Sequence, residues 1–388
     1  MFQNFIDRKF LLNTLSELVK IDSTNPSCTP GGAGETEIAQ YISLCLSDIG
    51  LDVETYQLEP GRMNVLGLLS GEGQGRSLMF NAHMDTVGVI GMKNPFAAQV
   101  RDGKMYGRGT QDMKASLAAA ITAVKALVDS NTRLPGDLFL AAVADEEYLS
   151  LGTSDLLKHC IPDAAIVTEP TNMHIALAHR GWAWLELETF GIAAHGSRYQ
   201  DGVDANMRMG RVLHKLEGLE AELRQRDPHP LIGTPSLHAA IIKGGTEWSI
   251  YADHCLLQIE RRTVPGESQE IILKEVQAIL DDLKGEDETF EARLKLIAIR
   301  KPHEVSPEVD IVKSLLKASR SVLQREPSLV GVPFWTDAAL MAAAGIDTVL
   351  MGPIGAGLHS KEEWVDLESV FQLAHILAKT AVFYNHQE

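Results

Sequence analysis

Five segments of this chain end in acids or imidazoles at the points where apolar runs stop. In Asn81-Ala82-His83-Met84-Asp85 an apolar run that reads as a strand closes with His83 and Asp85 two apart, hence on one face. A carboxylate so placed can hold an imidazole nitrogen toward a metal, although a hydrogen-bonded strand-end histidine explains the pair as well. Gly107-Arg108-Gly109-Thr110-Gln111-Asp112-Met113-Lys114 is a Gly-rich loop that delivers Asp112 just ahead of an Ala-rich apolar helix, where Asp112 also suits the N-cap. Asp145, Glu146 and Glu147 follow an apolar strand directly, and like charges so crowded cost energy unless cations compensate them. Glu169-Pro170-Thr171 ends another short strand, and His359 follows the flexible Gly352-Pro353-Ile354-Gly355-Ala356-Gly357-Leu358. Each segment has a structural explanation of its own; the set of five is what points to a metal site.

These residues need a scaffold that gathers strand ends. Helical spacing over Phe10–Val19 and about Glu35–Ile49, then strands at Ser77–Asp85, Leu138–Ala144 and Ala164–Val167 with helices near Lys114–Val128 and Ser154–His159, predict an α/β fold. The expectation is a mixed, mostly parallel sheet flanked by helices, with acids at the C-terminal strand ends where such sheets place their sites. From Gly181 the pattern changes. Trp182–Phe190 alternates, a long helix covers Ala205–Gln225, strands follow near Leu237–Ile242 and His254–Arg261, and a helix at Gln269–Leu283 precedes a strand near Phe290–Ile299. That predicts an inserted α+β domain at 181–294 between catalytic parts 1–180 and 295–388. Gly71, Gly73 and Gly75 lack phosphate-loop spacing and read as a hairpin turn.

In order and across nearly the whole chain, these motifs resemble the M20 metallopeptidase family, the group of acetylornithine deacetylase, succinyl-diaminopimelate desuccinylase, aminoacylase and glutamate carboxypeptidase. The resemblance implies a zinc-peptidase-like catalytic domain with a lid and dimerisation domain inserted. It implies that Asp112 bridges two divalent metal ions, with His83 and Glu169 completing one site and Glu147 and His359 the other. Asp85 would orient His83, Glu146 would act as general base, and the Asp112-Met113 peptide would be cis. Imidazole and carboxylate donors without cysteine suit zinc, cobalt or manganese, and zinc is the family expectation. Ala194-His195-Gly196-Ser197 resembles the motif whose histidine reaches the partner subunit's site and stabilises the oxyanion, implying a homodimer; by itself His195 is a surface-turn histidine. Arg262 matches the arginine that grips a substrate carboxylate, while Arg261 should face the other side of the strand, solvated.

The implied reaction is hydrolysis of the amide of a small N-acyl amino acid, with dipeptidase or carboxypeptidase action as the alternative and a non-catalytic metal-binding dimer as a third reading. Two departures bear on the substrate. Ser249 and Ala252 stand where the family has Asn and Pro, and His179-Arg180-Gly181 offers one arginine where the desuccinylase branch has two, which favours a smaller acyl group. Trp335-Thr336-Asp337 resembles a loop near the substrate pocket, and Thr336 and Asp337 also suit a helix N-cap. His159, His174, His214, His229, His238, His254, His303, His375 and His386 lack ligand-like contexts and read as structural or surface residues.

Composition agrees with this class. A net charge of −17 disfavours nucleic acid and anionic membranes as partners. Cys28, Cys45, Cys160 and Cys255 show no CxxC spacing, which fits reduced thiols and a cytoplasmic location. The sequence shows neither a leader pattern nor a membrane span.

Overall fold

Short strands without polar alternation must lie in a sheet covered on both faces. The computed structural model, which describes residues 2–73 and 75–385 and so leaves His386 outside, bears this out. Leu78–His83 and Ala164–Val167 are buried along their whole length, and Leu138–Val143 nearly so. The three run parallel, in the order Leu138–Val143, Leu78–His83, Ala164–Val167, and Asp347–Leu350 adds a fourth parallel strand beside the last. Arg62–Leu69 and Asp52–Glu59 extend the opposite side antiparallel. The sheet is thus mixed and mostly parallel, and its parallel strands deliver His83, the 144–147 turn, Glu169 and the loop to His359 to the same edge.

Helices cover the faces. Ala115–Asp129, rich in alanine, is buried on nearly every side and packs against Arg8–Lys20 and Leu367–Asn385. Arg8–Lys20 is capped by Asp7, whose carboxylate accepts from the Lys9 and Phe10 amides. Gly71, Gly73 and Gly75 are not a hairpin turn. The strands they join both flank Leu138–Val143 and do not pair with each other. Glycine is needed there because a Cβ on Gly71 or Gly75 would come within 2.3 or 2.5 Å of the Gly136 backbone.

The chain divides into two compact units, one formed by Met1–Leu177, Val305–Val330 and Thr336–Glu388, the other by Ala178–Glu304 and Gly331–Trp335. In the second, four antiparallel strands lie in the order Ser236–Gly244, His254–Thr263, Gly181–Phe190, Ala292–Arg300. Burial alternates strictly along His254–Thr263, so one face of the sheet meets helices Ala205–Gln225 and Gln269–Glu286 through Leu185, Leu187, Leu257, Ile259, Val212 and Ile279. Among the described residues no helix is long and apolar enough to cross a membrane.

Candidate metal centre

The first unit gathers all five proposed ligand residues. His83 ends its strand with its ring fully buried; Nδ1 meets the Asp85 backbone carbonyl at 2.9 Å, and Nε2 lies 3.0 Å from Asp112 Oδ1 and 3.7 Å from Glu169 Oε1. The other Asp112 oxygen, Oδ2, is 3.4 Å from His359 Nε2, which sits 3.1 Å from Glu147 Oε2. One carboxylate therefore stands between two imidazoles, each with a further glutamate beside it. Asp112 does not cap the following helix, and its peptide bond to Met113 is cis, as the resemblance implied. Possible ligand atoms of His83, Asp112 and Glu147 lie within 4.8 Å of one another, and so do those of His83, Glu146 and Glu169.

Local backbone geometry separates the three consecutive acids. Asp145 has φ 68°, and its carboxylate turns away from the cluster to Arg62 at 2.7 Å and Asn25 at 3.1 Å. Glu146 and Glu147 donate their amides to the two Asp85 oxygens, each at 3.1 Å, and Asn25 donates to the same carboxylate at 2.7 Å. Asp85 therefore holds His83 through its main chain, its carboxylate oxygen being 3.6 Å from the ring, and spends the carboxylate on the turn bearing Glu146 and Glu147. Behind them Arg62 pairs with both Asp145 and Glu35, all three essentially without solvent exposure.

The electrostatics are lopsided. The buried His83 faces carboxylates from Asp85, Asp112, Glu146, Glu147, Glu169 and Asp337, while the half-exposed His359 faces Asp112 and Glu147. Burial, then Glu169, pushes Glu146 well above the ordinary carboxyl range; burial does the same to Glu169, and burial and Asp112 raise Glu147. Burial opposes charge on His83, yet hydrogen bonds to Asp112 and Asp85 lift its pKa well up. His359 rises to about 10 beside Asp112 and Glu147. Glu147 Oε1 is buried without a hydrogen-bond partner among the described residues. Divalent cations fit this donor set, supplying charge to the acids and a partner to the orphaned oxygen.

His195, Arg261 and Arg262 lie in the second unit. His195 occupies an exposed turn, its Nδ1 paired with the Ser197 hydroxyl at 2.8 Å. Backbone bonds tie that turn to the segment that departs from the family pattern: Gly196 N donates to Ser249 O and Tyr251 N to Ala194 O. Ser249 thus serves here through its main chain. Arg262 is partly exposed and pairs with Glu260 at 2.9 Å. Arg261 corrects an expectation. It does face the opposite side of the strand, but that side is the core, so the residue is fully buried and neutralised by Glu267 and Glu275. Near the metal-site residues, Thr336 rather than Asp337 caps the Ala338–Ala343 helix, accepting from Ala338 N; Asp337 turns inward to Thr153 and is raised to about 6 by burial.

Sequence reasoning missed Asn25, Glu35, Arg62, Arg108 and Glu363. Asn25 sits in Ser23-Thr24-Asn25-Pro26, which reads as a turn, and nothing in periodicity marks Glu35 or Arg62. Glu363 is one of two adjacent acids shortly after His359, and nothing local distinguishes it from Glu362.

Comparison with known proteins agrees with the geometry. The chain is 26% identical to acetylornithine deacetylase of Myxococcus xanthus over 96% of each protein. Its fold matches aminopeptidase PepT of Bacillus cereus with a TM-score of 0.83 at 20% identity, covering 99% of this chain and all of that one. It also matches the YXEP protein of Bacillus subtilis, described as a dinuclear metal binding peptidase, with a TM-score of 0.76 at 15% identity over 98% and 99% of the two chains. Residues 79–382 fit the model of peptidase family M20/M25/M40. The chain belongs to that family and is a metal-dependent enzyme of the amidohydrolase and peptidase kind.

Proposed function

We propose that this enzyme hydrolyses the amide of a small N-acyl amino acid at a two-metal centre held by His83, Asp112, Glu147, Glu169 and His359. The observation that carries the reading is the division of the Asp112 carboxylate, one oxygen toward His83 and the other toward His359. His83 and Glu169 would hold one ion, Glu147 and His359 the second, and Asp112 both. Zinc suits the donors, with cobalt or manganese as alternatives. When bound, the ions polarise the scissile carbonyl and make water acidic enough to attack near neutral pH.

The protein's own groups do the rest. Glu146, buried beside His83 and Glu169, takes a proton from the attacking water and returns it to the nitrogen of the leaving amine as the C–N bond breaks. Asp85 and Asn25 hold that glutamate's backbone in place. His195, from a partner subunit, donates to the developing oxyanion, and Arg262 pairs its planar fork with the substrate carboxylate. A homodimer is supported by the outer strand Ser236–Gly244, whose exposed Ile241 and Ile242 lie on a sheet edge that suits a second copy. Residues 181–294 would then form the lid and dimerisation domain, and four free cysteines fit a reducing cytoplasm.

The small acyl group is supported by the single arginine in His179-Arg180-Gly181 and by the acetylornithine deacetylase relative. The likeness to an aminopeptidase keeps peptide hydrolysis as the second reading. A panel of N-acetyl amino acids and dipeptides, assayed with the zinc-loaded enzyme and after chelation, separates the two. Turnover of acetylated amino acids that chelation abolishes is the expected result, and turnover of dipeptides alone overturns the proposal.

A further inference from the structure

Behind the proposed ligand residues, one carboxylate and the arginine paired with it hold several of their loops at once. Glu363 is almost fully buried, and its Oε1 accepts from the backbone amides of Gln111 at 2.8 Å and Asp112 at 3.1 Å. Its Oε2 accepts from Gly109 N at 3.1 Å and from Arg108 Nη1 at 2.6 Å. Both oxygens are therefore committed to the segment that carries Asp112. The Glu363 main-chain carbonyl accepts from Gly107 N at 3.1 Å, so the same residue also holds the start of that loop.

Arg108 completes the connection. Besides Glu363 it donates to the Gly88 carbonyl, at 3.0 Å through Nη2 and 3.2 Å through Nε, and to the Ser360 carbonyl at 3.1 Å. Gly88 lies three residues beyond Asp85 and Ser360 is the neighbour of His359. The pair thus ties together the segments after His83, around Asp112 and around His359. Beyond Glu363 the chain is fixed in turn, Trp364–Asp366 pairing with Lys104–Tyr106. On the His359 side Gly357 has φ 94° and a Cβ there would fall 1.9 Å from the Glu362 carbonyl, so the residue two before the ligand, packed against the one before the anchor, must be glycine.

We infer that Glu363, clamped by Arg108, is a positioning residue that sets the orientation of the Asp112 carboxylate and its spacing from His359, and with them the affinity of the centre for its second cation. The inference rests on the ligand assignment proposed above. Its physical basis is that ligands on separate flexible loops bind a second ion tightly only when their spacing is fixed before the ion arrives. His83 ends a buried strand and needs little help. Asp112 and His359 sit in Gly-rich loops, and His359 is the most exposed of the five, so they depend most on the anchor.

The test is calorimetric titration of zinc into the metal-free full-length protein, with thermal melting of each metal-free variant. Asp112→Asn probes the ligand assignment: loss of at least one equivalent supports it, and two equivalents of undiminished affinity defeat it. Glu363→Gln replaces an acceptor oxygen by an amide N–H that meets backbone donors, and Glu363→Asp withdraws the carboxylate by one methylene. Either should weaken the second equivalent at least ~10-fold while the first stays within ~3-fold, since affinity tuned through a ligand's supporting partner changes by about this much. Arg108→Lys, which keeps the charge and loses the fork, should do so less. Leu373→Ala, a cavity in the buried Leu367–Asn385 helix, serves as the control for instability alone and should lower the melting temperature without separating the two equivalents. If Glu363→Gln does not fold, Glu363→Asp and Arg108→Lys decide the matter. Wild-type second-equivalent affinity in the folded variants, or equal weakening of both equivalents as a general loosening would give, overturns the inference even where Asp112→Asn behaves as expected.

Discussion

His83 and His195 are both histidines assigned to the same reaction, and they live in opposite surroundings. His83 has 1% of its side chain exposed, a backbone carbonyl on one ring nitrogen and acids around the other. His195 stands in an exposed turn with a serine hydroxyl on Nδ1. The contrast extends to their units: in the first, four of the five proposed ligands are buried or nearly so and held from several sides, whereas in the second the fold buries its leucines and leaves His195 and Arg262 at the surface. Burying acids costs free energy that only cations and hydrogen bonds offset, so the first unit needs a network behind each ligand. A surface donor needs only a stable turn. The candidate metal centre should therefore respond steeply to any change in its surroundings, and the second unit only to changes in the reacting group itself.

The steepest response is expected from Glu146→Gln. It should lower kcat roughly 10²- to 10⁴-fold, the usual contribution of a positioned proton-transfer group, while both zinc equivalents still bind. An unchanged rate would remove Glu146 as the base. His195→Ala comes next, at roughly 10²- to 10³-fold in kcat for loss of an oxyanion donor. Mixing the His195→Ala and Glu146→Gln proteins should restore activity, because a mixed dimer holds one site with both groups; no recovery would place His195 outside the partner's site.

A third substitution probes what the second unit does bury. Arg261→Met leaves Glu267 and Glu275 with Arg226 alone. It should destabilise by about 3 kcal/mol in urea unfolding, the lower end for breaking a buried ion pair, without altering zinc stoichiometry. An unmoved unfolding midpoint would mean that the buried pair contributes no net stability.

The smallest effect concerns Lys114, buried at the foot of the Ala115–Asp129 helix with its ammonium on the Ile21 carbonyl at 2.8 Å. Burial lowers its pKa from 10.5 to about 7. Because the unfolded chain keeps this proton to higher pH, stability should rise with pH from about 7 toward 10.5 and level off below 7, where both states hold the proton. Between pH 7 and 8 the gain is about 1 kcal/mol, at 1.36 kcal/mol per unit. Lys114→Met should flatten that slope relative to wild type in metal-free protein, and identical slopes would refute the account.

What was legible in the sequence follows the same division. Strand ends carrying acids could be read because apolar runs mark buried parallel strands and their termination marks the sheet edge, so the Leu138–Val143 strand announced the 145–147 turn. The long helix at Ala205–Gln225 could be read from period alone. Asn25, Arg62 and Glu363 could not, since each acts on backbone or charge far away in the chain and leaves no local period. Arg261 failed for a related reason: alternation revealed which face it occupies, but only the assembled sheet reveals which face is core.

One feature of the sheet bears on how the protein is made. Asp347–Leu350 is an interior parallel strand beside Ala164–Val167, although the whole of the second unit lies between them in the chain. During synthesis from the N-terminus the first 177 residues emerge with that side of Ala164–Val167 unpaired. His83, Asp112, Glu147 and Glu169 are then already present, while His359 and Glu363 are still unmade. A nascent chain can complete its second unit first, as domains fold in units. Closure of the sheet and gathering of the proposed ligand set therefore both wait for residues 347–363, and the two arrive together.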